Sequence, residues 1–188
     1  MSERSKQYSK AISVVAMVSF ICVYGAHILI EGIENLAFSD YLAFISEATT
    51  ATLAICVIYC KWIWRYLNIF HIPKLFKHYD GVLVSDCDSK ERSISLNIIQ
   101  HFDKVEICMK SDESESISTS ADFEQHRERY MLVYEYINTP KAKLRDNSPI
   151  HFGTARLKVE NDGRKLIGEY YTSRNTKGDI SLDAADTK

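Results

Sequence analysis

AISVVAMVSFICVYGAHILI, residues 11–30, and YLAFISEATTATLAICVIYCKWIW, residues 41–64, are the two stretches on which the fold turns. A helix that crosses the roughly 30 Å hydrocarbon core of a bilayer needs about 20 mostly apolar residues. Both runs satisfy that length. The first holds His27 as its one group that ionises near neutral pH. The second carries Glu47, Thr49, Thr50 and Thr52 ahead of the apolar run Leu53 to Tyr59, then closes on Lys61, Trp62, Trp64, Arg65 and Tyr66. Rings and basic side chains of this kind collect where a helix leaves the membrane. The first run is too long for the hydrophobic part of a secretory signal, and a second span follows it in place of a small-residue cleavage site. The expected organisation is a two-helix transmembrane hairpin over residues 1–70 and a polar domain over residues 71–188.

Lysine and arginine close to the spans set their orientation. Arg4, Lys6 and Lys10 precede the first and Lys61, Arg65, Lys74 and Lys77 follow the second, while Glu31 to Asp40 holds no basic residue. Both termini are therefore expected in the cytoplasm. The five cysteines, three of them in the spans and none in a metal-ligand spacing, suit a reducing compartment. His27 and Glu47 both fall toward the outer interface. Either they pair inside the hairpin, or each reaches for headgroup water. Ser46, Thr49, Thr50 and Ala51 are small or hydroxylic contacts of the sort that let membrane helices associate.

The polar domain has a period of two. Ile94, Leu96, Ile98 and Gln100 share one face; Val105, Ile107 and Met109 share another; Ser114, Ser116, Ser118 and Ser120 form a serine row; Tyr130, Leu132, Tyr134 and Tyr136 form an aromatic one. His151 to Glu160 alternates Gly153, Ala155, Leu157 and Val159 with polar neighbours, and Asp162-Gly163 is a hairpin turn into Lys165 to Tyr171. With strands at Gly81–Ser85 and Gly178–Leu182 the count is about eight, largely antiparallel. Ala121 to Arg127 is read as a turn or two of helix, and Asp183 to Lys188 as a frayed tail. Eight strands on so short a chain predict an all-β domain closed into a small, lipocalin-like β-barrel, since closure removes exposed edges. Such a barrel is either filled by side chains or holds one small ligand. The serine row and the pair Gly153 and Ala155 favour a cavity, because small inward side chains leave space; serines on a solvent-facing row are the alternative.

Chain-wide, 23 lysines and arginines stand against 25 aspartates and glutamates, which excludes a broad basic face for duplex nucleic acid. No phosphate loop, nucleophile elbow, zinc motif or paired-cysteine site occurs, so neither catalytic nor metal-binding residues are assigned, no cofactor is expected, and a non-enzyme is the reading. The densest chemistry lies in Gly168-Glu-Tyr-Tyr-Thr-Ser-Arg-Asn-Thr-Lys-Gly178. Tyrosine rings stack on bases, a guanidinium forks onto phosphate and hydroxyls fill the remaining positions; a hairpin rich in turn residues has the same composition.

The order of parts, two spans and then a strand-only domain, is similar to that of the SMODS-associated two-transmembrane β-barrel effectors of bacterial CBASS antiphage defence. The residues that carry the likeness are Gln100, the stretch Ser114 to Ser120, Leu132, Tyr134, Tyr136, His151, Gly153, Ala155, Leu157, and above all Gly168, Tyr170, Tyr171, Arg174, Thr176 and Gly178. The resemblance implies a receptor for a cyclic dinucleotide made by a partner cyclic nucleotide synthase. On binding, the receptor assembles into homo-oligomers and its spans disrupt the membrane lipid, so that infection is abortive. It implies Arg174 for phosphate, Tyr171 or Tyr136 for stacking, and Thr176, Ser118 and Gln100 for hydrogen bonds. Tyr170 and Tyr171 must point to opposite faces of a strand, so at most one enters the lumen. The competing expectation is a membrane-tethered barrel that binds an apolar ligand or serves as a structural subunit; it requires an apolar lumen.

Overall fold

The computed structural model describes residues 3–31, 37–68, 72–127 and 129–185, and the chain divides into two compact units, Met1–His71 and Ile72–Lys188. The first unit contains α1 (Glu3–Glu31) and α2 (Phe38–Lys61). Within them Ser9–Ile30 and Phe38–Lys61 are long and apolar enough to cross a membrane. Leu29, Ile30, Ile21, Leu53 and Phe38 stay exposed along them, as lipid-facing side chains do. At the start of α2 the Asp40 carboxylate accepts the Ala37 backbone N–H at 2.8 Å, so an orphan donor is satisfied and a negative charge lies at the helix N-terminus.

The helices meet through Phe44, Ala48, Thr52 and Tyr59 of α2 and through Ala11 and Ser19 of α1, all buried. Ala11 and Ala48 are completely covered, which is the close approach that small residues permit between membrane helices. Ser19 donates to the Val15 carbonyl at 2.8 Å, Thr49 to Ile45 at 2.7 Å and Thr50 to Ser46 at 3.0 Å, so these hydroxyls are satisfied without water. Ser46, Thr49 and Thr50 lie on the exposed side of the hairpin. His27 Nε2 sits 3.2 Å from Glu47 Oε2, and the His27 ring stacks on Phe44 with centroids 4.9 Å apart. Of the two readings of this couple, pairing is the one the fold adopts.

In the second unit eight strands run in sequence order around a closed antiparallel barrel: β1 His78–Ser85, β2 Glu91–Gln100, β3 Val105–Ser111, β4 Ser114–His126, β5 Arg129–Pro140, β6 His151–Glu160, β7 Lys165–Thr172 and β8 Lys177–Ala184. Neighbouring strands pair as simple hairpins, and β1 pairs β8 from Tyr79↔Ala184 to Ser85↔Gly178. The alternation seen in the sequence becomes an inward row on each strand. Leu96, Ile98, Val105, Ile107, Phe123, Leu132, Tyr134, Leu157, Leu166, Ile180 and Leu182 fill one half of the lumen.

Three local expectations are corrected. Ala121–His126 continues β4 as strand, because Phe123 and Ala121 keep their places in the core against Leu132 and Tyr134. The serine row breaks after Ser118: the register jumps from Ser118↔Tyr136 to Ser120↔Glu135, and this bulge turns Ser120 to the outside. Asp183 and Ala184 are not frayed; they extend β8 by pairing with Lys165 and Tyr79. Residues 186–188 of the expected tail lie outside the described residues.

One end of the barrel is sealed by the segment Ile72–Phe76 that leads into β1. Gln100 at the end of β2 accepts the Leu75 N–H at 2.9 Å and donates to the Pro73 carbonyl at 2.8 Å. Tyr79, fully buried, accepts the Phe76 N–H at 3.0 Å and donates to the Gly163 carbonyl at 2.5 Å. Burial pushes the Tyr79 phenol up to about 12, against a smaller downward pull from the Phe76 N–H. Gly163 has φ +85°, and a Cβ there would collide with the Lys74 carbonyl, so both conformation and proximity demand glycine in the β6–β7 turn. Tyr79→Phe, which orphans the buried Gly163 carbonyl and the part-buried Phe76 N–H, is expected to destabilise the barrel by about 1–3 kcal/mol. Denaturant unfolding of the full chain in detergent checks it, and an unchanged midpoint would show that the seal is not held there.

Candidate ligand-binding site

The half of the lumen opposite the seal carries polar side chains among apolar ones. The connections that gather there are residues 86–90, 112–113, 141–150 and 173–176, and beneath them lies a cavity of about 310 Å³, the lower end of the range for small-molecule sites, about 300–1,000 Å³. Leu83, Ile94 and Met109 line it beside the two tyrosines Tyr136 and Tyr170, with Ser85, Ser114, Ser116, Asn138, His151, Thr172 and Thr176 also in its lining and Arg92 and Arg174 bringing positive charge. The lining is therefore mixed, an apolar wall set with hydroxyls, amides and two guanidinium groups, and so differs from the wholly apolar lumen that a lipid-type ligand requires.

The tyrosines take their places through glycines. A Cβ at Gly153 would run into the ring of its cross-strand partner Tyr136, and one at Gly178 would meet the Tyr170 ring at 2.7 Å. The room foreseen at Gly153 is thus occupied by the Tyr136 ring, while fully buried Ala155 stands opposite Tyr134 and Tyr170. Small residues on β6 make the cavity by letting rings lie against the wall. Burial raises both phenols, and for Tyr170 a hydrogen bond with Ser85 opposes that rise. Both therefore stay neutral at physiological pH and offer a ring face and an O–H without repelling an anion.

Ser116, Asn138 and His151 are successive cross-strand partners on β4, β5 and β6. Ser116 donates to Asn138 Oδ1 at 2.9 Å, and Asn138 Nδ2 stands 3.4 Å from His151 Nε2. His151 Nδ1 stands 2.9 Å from the Pro149 carbonyl. The tautomer protonated on Nδ1 satisfies all of these at once: Nδ1–H donates to Pro149, and Nε2 accepts from Asn138. This rail holds the 141–150 connection against the mouth.

The two arginines differ in their surroundings. Arg174, on the β7–β8 turn, donates from Nη1 to Ser148 Oγ at 2.6 Å and from Nη2 to the Asn147 carbonyl at 3.5 Å. Both acceptors are neutral, and among the described residues no carboxylate pairs with it. Arg92, on β2, is bound by Asp88 and Glu113. The Arg92 guanidinium beside Asp88, helped by the Lys90 N–H, draws that carboxyl down to about 2.

Of the six residues expected to meet a ligand, Arg174, Tyr136 and Thr176 line this cavity together, Thr176 sharing a hydroxyl contact of 2.6 Å with Thr172. The other three lie elsewhere. Gln100 belongs to the seal at the far end. Ser118, at the bulge, accepts the Ile107 N–H at 2.9 Å where the β3–β4 ladder stops. Tyr171 projects outward and donates to Glu169, and the inward tyrosine is Tyr170. The alternation carried that signal, since Tyr171 shares its face with Lys165 and Glu169. Arg92, two residues before Ile94 on the inward row, was legible by the same rule.

Asp88 titrates lower folded than unfolded, so its contribution to stability is present above its unfolded value, about 3.9, and disappears as the pH falls toward 2. Following the Asp88 carboxyl resonance through an acid titration should give a midpoint near 2 in wild type and a clearly higher one in Arg92→Gln, where only the Lys90 N–H still pulls it down; equal midpoints would remove the guanidinium as the cause.

Residues 70–184, the barrel with its lead-in, match the family described as Cap15, cyclic dinucleotide receptor domain. The chain is 33% identical over 147 residues to CD-NTase-associated protein 15 of Staphylococcus schleiferi, covering 76% of this chain and 79% of that protein. Over 191 aligned residues it is 26% identical to the protein of the same name from Yersinia aleksiciae, covering 95% of this chain and 91% of that one. A receptor-domain match over more than half of the sequence, with a relative one-third identical along three quarters of it, makes this chain a member of the Cap15 family of cyclic dinucleotide receptors.

Proposed function

We propose that the mouth cavity is where a cyclic dinucleotide binds, and that the chain is a CBASS effector, a signal receptor and not a catalyst, that turns this binding into damage to the bacterial inner membrane. The observation that carries the reading is Arg174: a guanidinium at the cavity mouth that, among the described residues, is held by neutral oxygens, beside two neutral tyrosine rings. A phosphodiester supplies the missing charge, and planar bases supply partners for the rings. Thr176 and Thr172 add hydroxyls at the same rim. The cavity is small for two nucleotides, so the ligand fills it and extends among the 86–90, 141–150 and 173–176 connections.

The ligand comes from a partner cyclic nucleotide synthase, as the name of the relatives, CD-NTase-associated protein, suggests for them. Binding drives assembly only if the ligand prefers the assembled state, because equal affinity for both states shifts nothing. Homo-oligomers then form in the bilayer, with Ser46, Thr49 and Thr50 on the exposed side of the hairpin as contacts between chains. Basic residues on either side of the spans support cytoplasmic termini, which leaves the barrel in the compartment where the signal is made.

Arg174→Ala in the full chain is expected to weaken cyclic dinucleotide binding at least tenfold while leaving the melting temperature nearly unchanged, since its bonds are exposed; calorimetric titration in detergent measures it, and an unaltered affinity would take phosphate from this residue. Glu47→Gln removes the charge of the His27 partner and is expected to alter ligand-induced leakage from liposomes carrying the protein while sparing ligand affinity. A wild-type leakage response would reduce the couple to a static packing contact.

A further inference from the structure

We propose that Arg92 is a second phosphate-reading group of the cavity, latched by Asp88 and Glu113, whose carboxylates a ligand phosphate must displace. This deepens the proposed binding function and rests on it.

Arg92 belongs to the inward row of β2 that continues as Ile94, Leu96 and Ile98, and it lines the cavity. A charged side chain in an inward row forgoes the full hydration it would have on the outer face, so its placement there calls for an anionic partner. The partners present are carboxylates. Nη1 and Nη2 fork onto Asp88 Oδ1 and Oδ2 at 3.0 and 2.6 Å, and Nε donates to Glu113 Oε2 at 3.0 Å. Nη1 also reaches the Lys90 carbonyl at 3.4 Å. The two-pronged face that would grip a phosphate is already gripping a group of the same planar, doubly accepting geometry.

The latch is built to yield. The Arg92, Asp88 and Glu113 side chains retain 27%, 32% and 55% of their exposure, so solvent screens both pairs, and Glu113, held by one bond where Asp88 is held by a fork, is the looser partner. Both carboxylates come from short turns, Asp88 from β1–β2 and Glu113 from β3–β4, so they swing aside without disturbing a strand. Arg174 stands along the same rim, separated from Arg92 by β8 and β1, and no carboxylate among the described residues contests it. A ligand with two phosphates therefore anchors one at Arg174, and the second reaches Arg92 at the high local concentration that tethering provides. A ligand with a single phosphate has no such help, so the latch selects for the doubly anionic ring.

The test titrates the full chain in detergent, by calorimetry, with a panel of 3′,3′-linked cyclic dinucleotides carrying adenine, guanine and uracil in each pairing. If no member binds wild type, the binding function itself fails, and this inference with it. Where wild type binds, Arg92→Gln is expected to lose about tenfold or more, the usual worth of a charged hydrogen-bonded contact. Asp88→Asn is expected to tighten binding about threefold or more. In the Arg92→Gln background Asp88→Asn is expected to change nothing, since the two act on one fork. Should Arg92→Gln unfold, Arg92→Lys replaces it: the charge remains, the fork is gone, and a several-fold loss is expected. Undiminished affinity in the Arg92 variants, or unchanged or weaker binding in Asp88→Asn while Arg174→Ala still abolishes it, overturns the second phosphate site and leaves the first standing.

Discussion

The ladder between β1 and β8, from Tyr79↔Ala184 to Ser85↔Gly178, is the constraint on which the rest of the receptor domain depends. Before it closes, the eight strands are a meander with two unpaired edges, and their alternate residues face only a shared side of a sheet. Closure turns that side into a lumen. Every inward row then faces the others across a few ångströms, and the size of each inward side chain decides whether a level of the barrel is solid or hollow. Leucine, isoleucine and phenylalanine make the lower level solid; serine, asparagine, threonine and the glycines beneath two tyrosine rings leave the upper level hollow.

A second consequence is the division of labour between the two ends. At the sealed end Gln100, Tyr79 and Gly163 spend their polar groups on the backbone of Ile72–Phe76 and of the β6–β7 turn, so these groups close the barrel. At the open end the polar groups are organised and not exhausted. The Ser116–Asn138–His151 rail positions the 141–150 connection, which in turn offers Ser148 and Asn147 to Arg174. Preorganisation of this kind lowers the ordering cost of binding. Neutral tyrosines beside paired and unpaired guanidinium groups suit a ligand that is both flat and anionic, in keeping with membership of a cyclic dinucleotide receptor family.

The strands were readable because the barrel has one packed side and one wet side, so that Ile94-Leu96-Ile98 and Leu132-Tyr134-Tyr136 keep strict alternation. Where alternation failed, physical context had taken over. Ala121–His126 lacks a strong strand signature, yet the core contacts of Phe123 hold it extended. One extra residue near Thr119 reverses the faces of everything that follows it, which is how Ser120 left the row to which it belonged by count. Tyr170 and Tyr171 show the intermediate case: opposition of the two rings followed from strand geometry, and the charged companions of Tyr171 named the outward one.

Composition and spacing by themselves determined two apolar spans, a closed barrel of about eight strands, and an arginine in a hairpin turn among hydroxyls and rings, because segment length, period and turn residues are local properties. Which polar residues share a cavity was decided only in three dimensions. Gln100 and Ser118 are as polar as Thr176, but strand ends alternate between the two mouths of the cylinder, and that alternation sent Gln100 to the seal and brought Arg92, Tyr170 and His151 beside Arg174. The pairing of Arg92 with carboxylates from two different turns needs less: β1, β2 and β3 are consecutive hairpin neighbours, so Asp88, Arg92 and Glu113 meet through the β2–β3 register, which pairs Ile94 with Ser111, whether or not the sheet has curled shut.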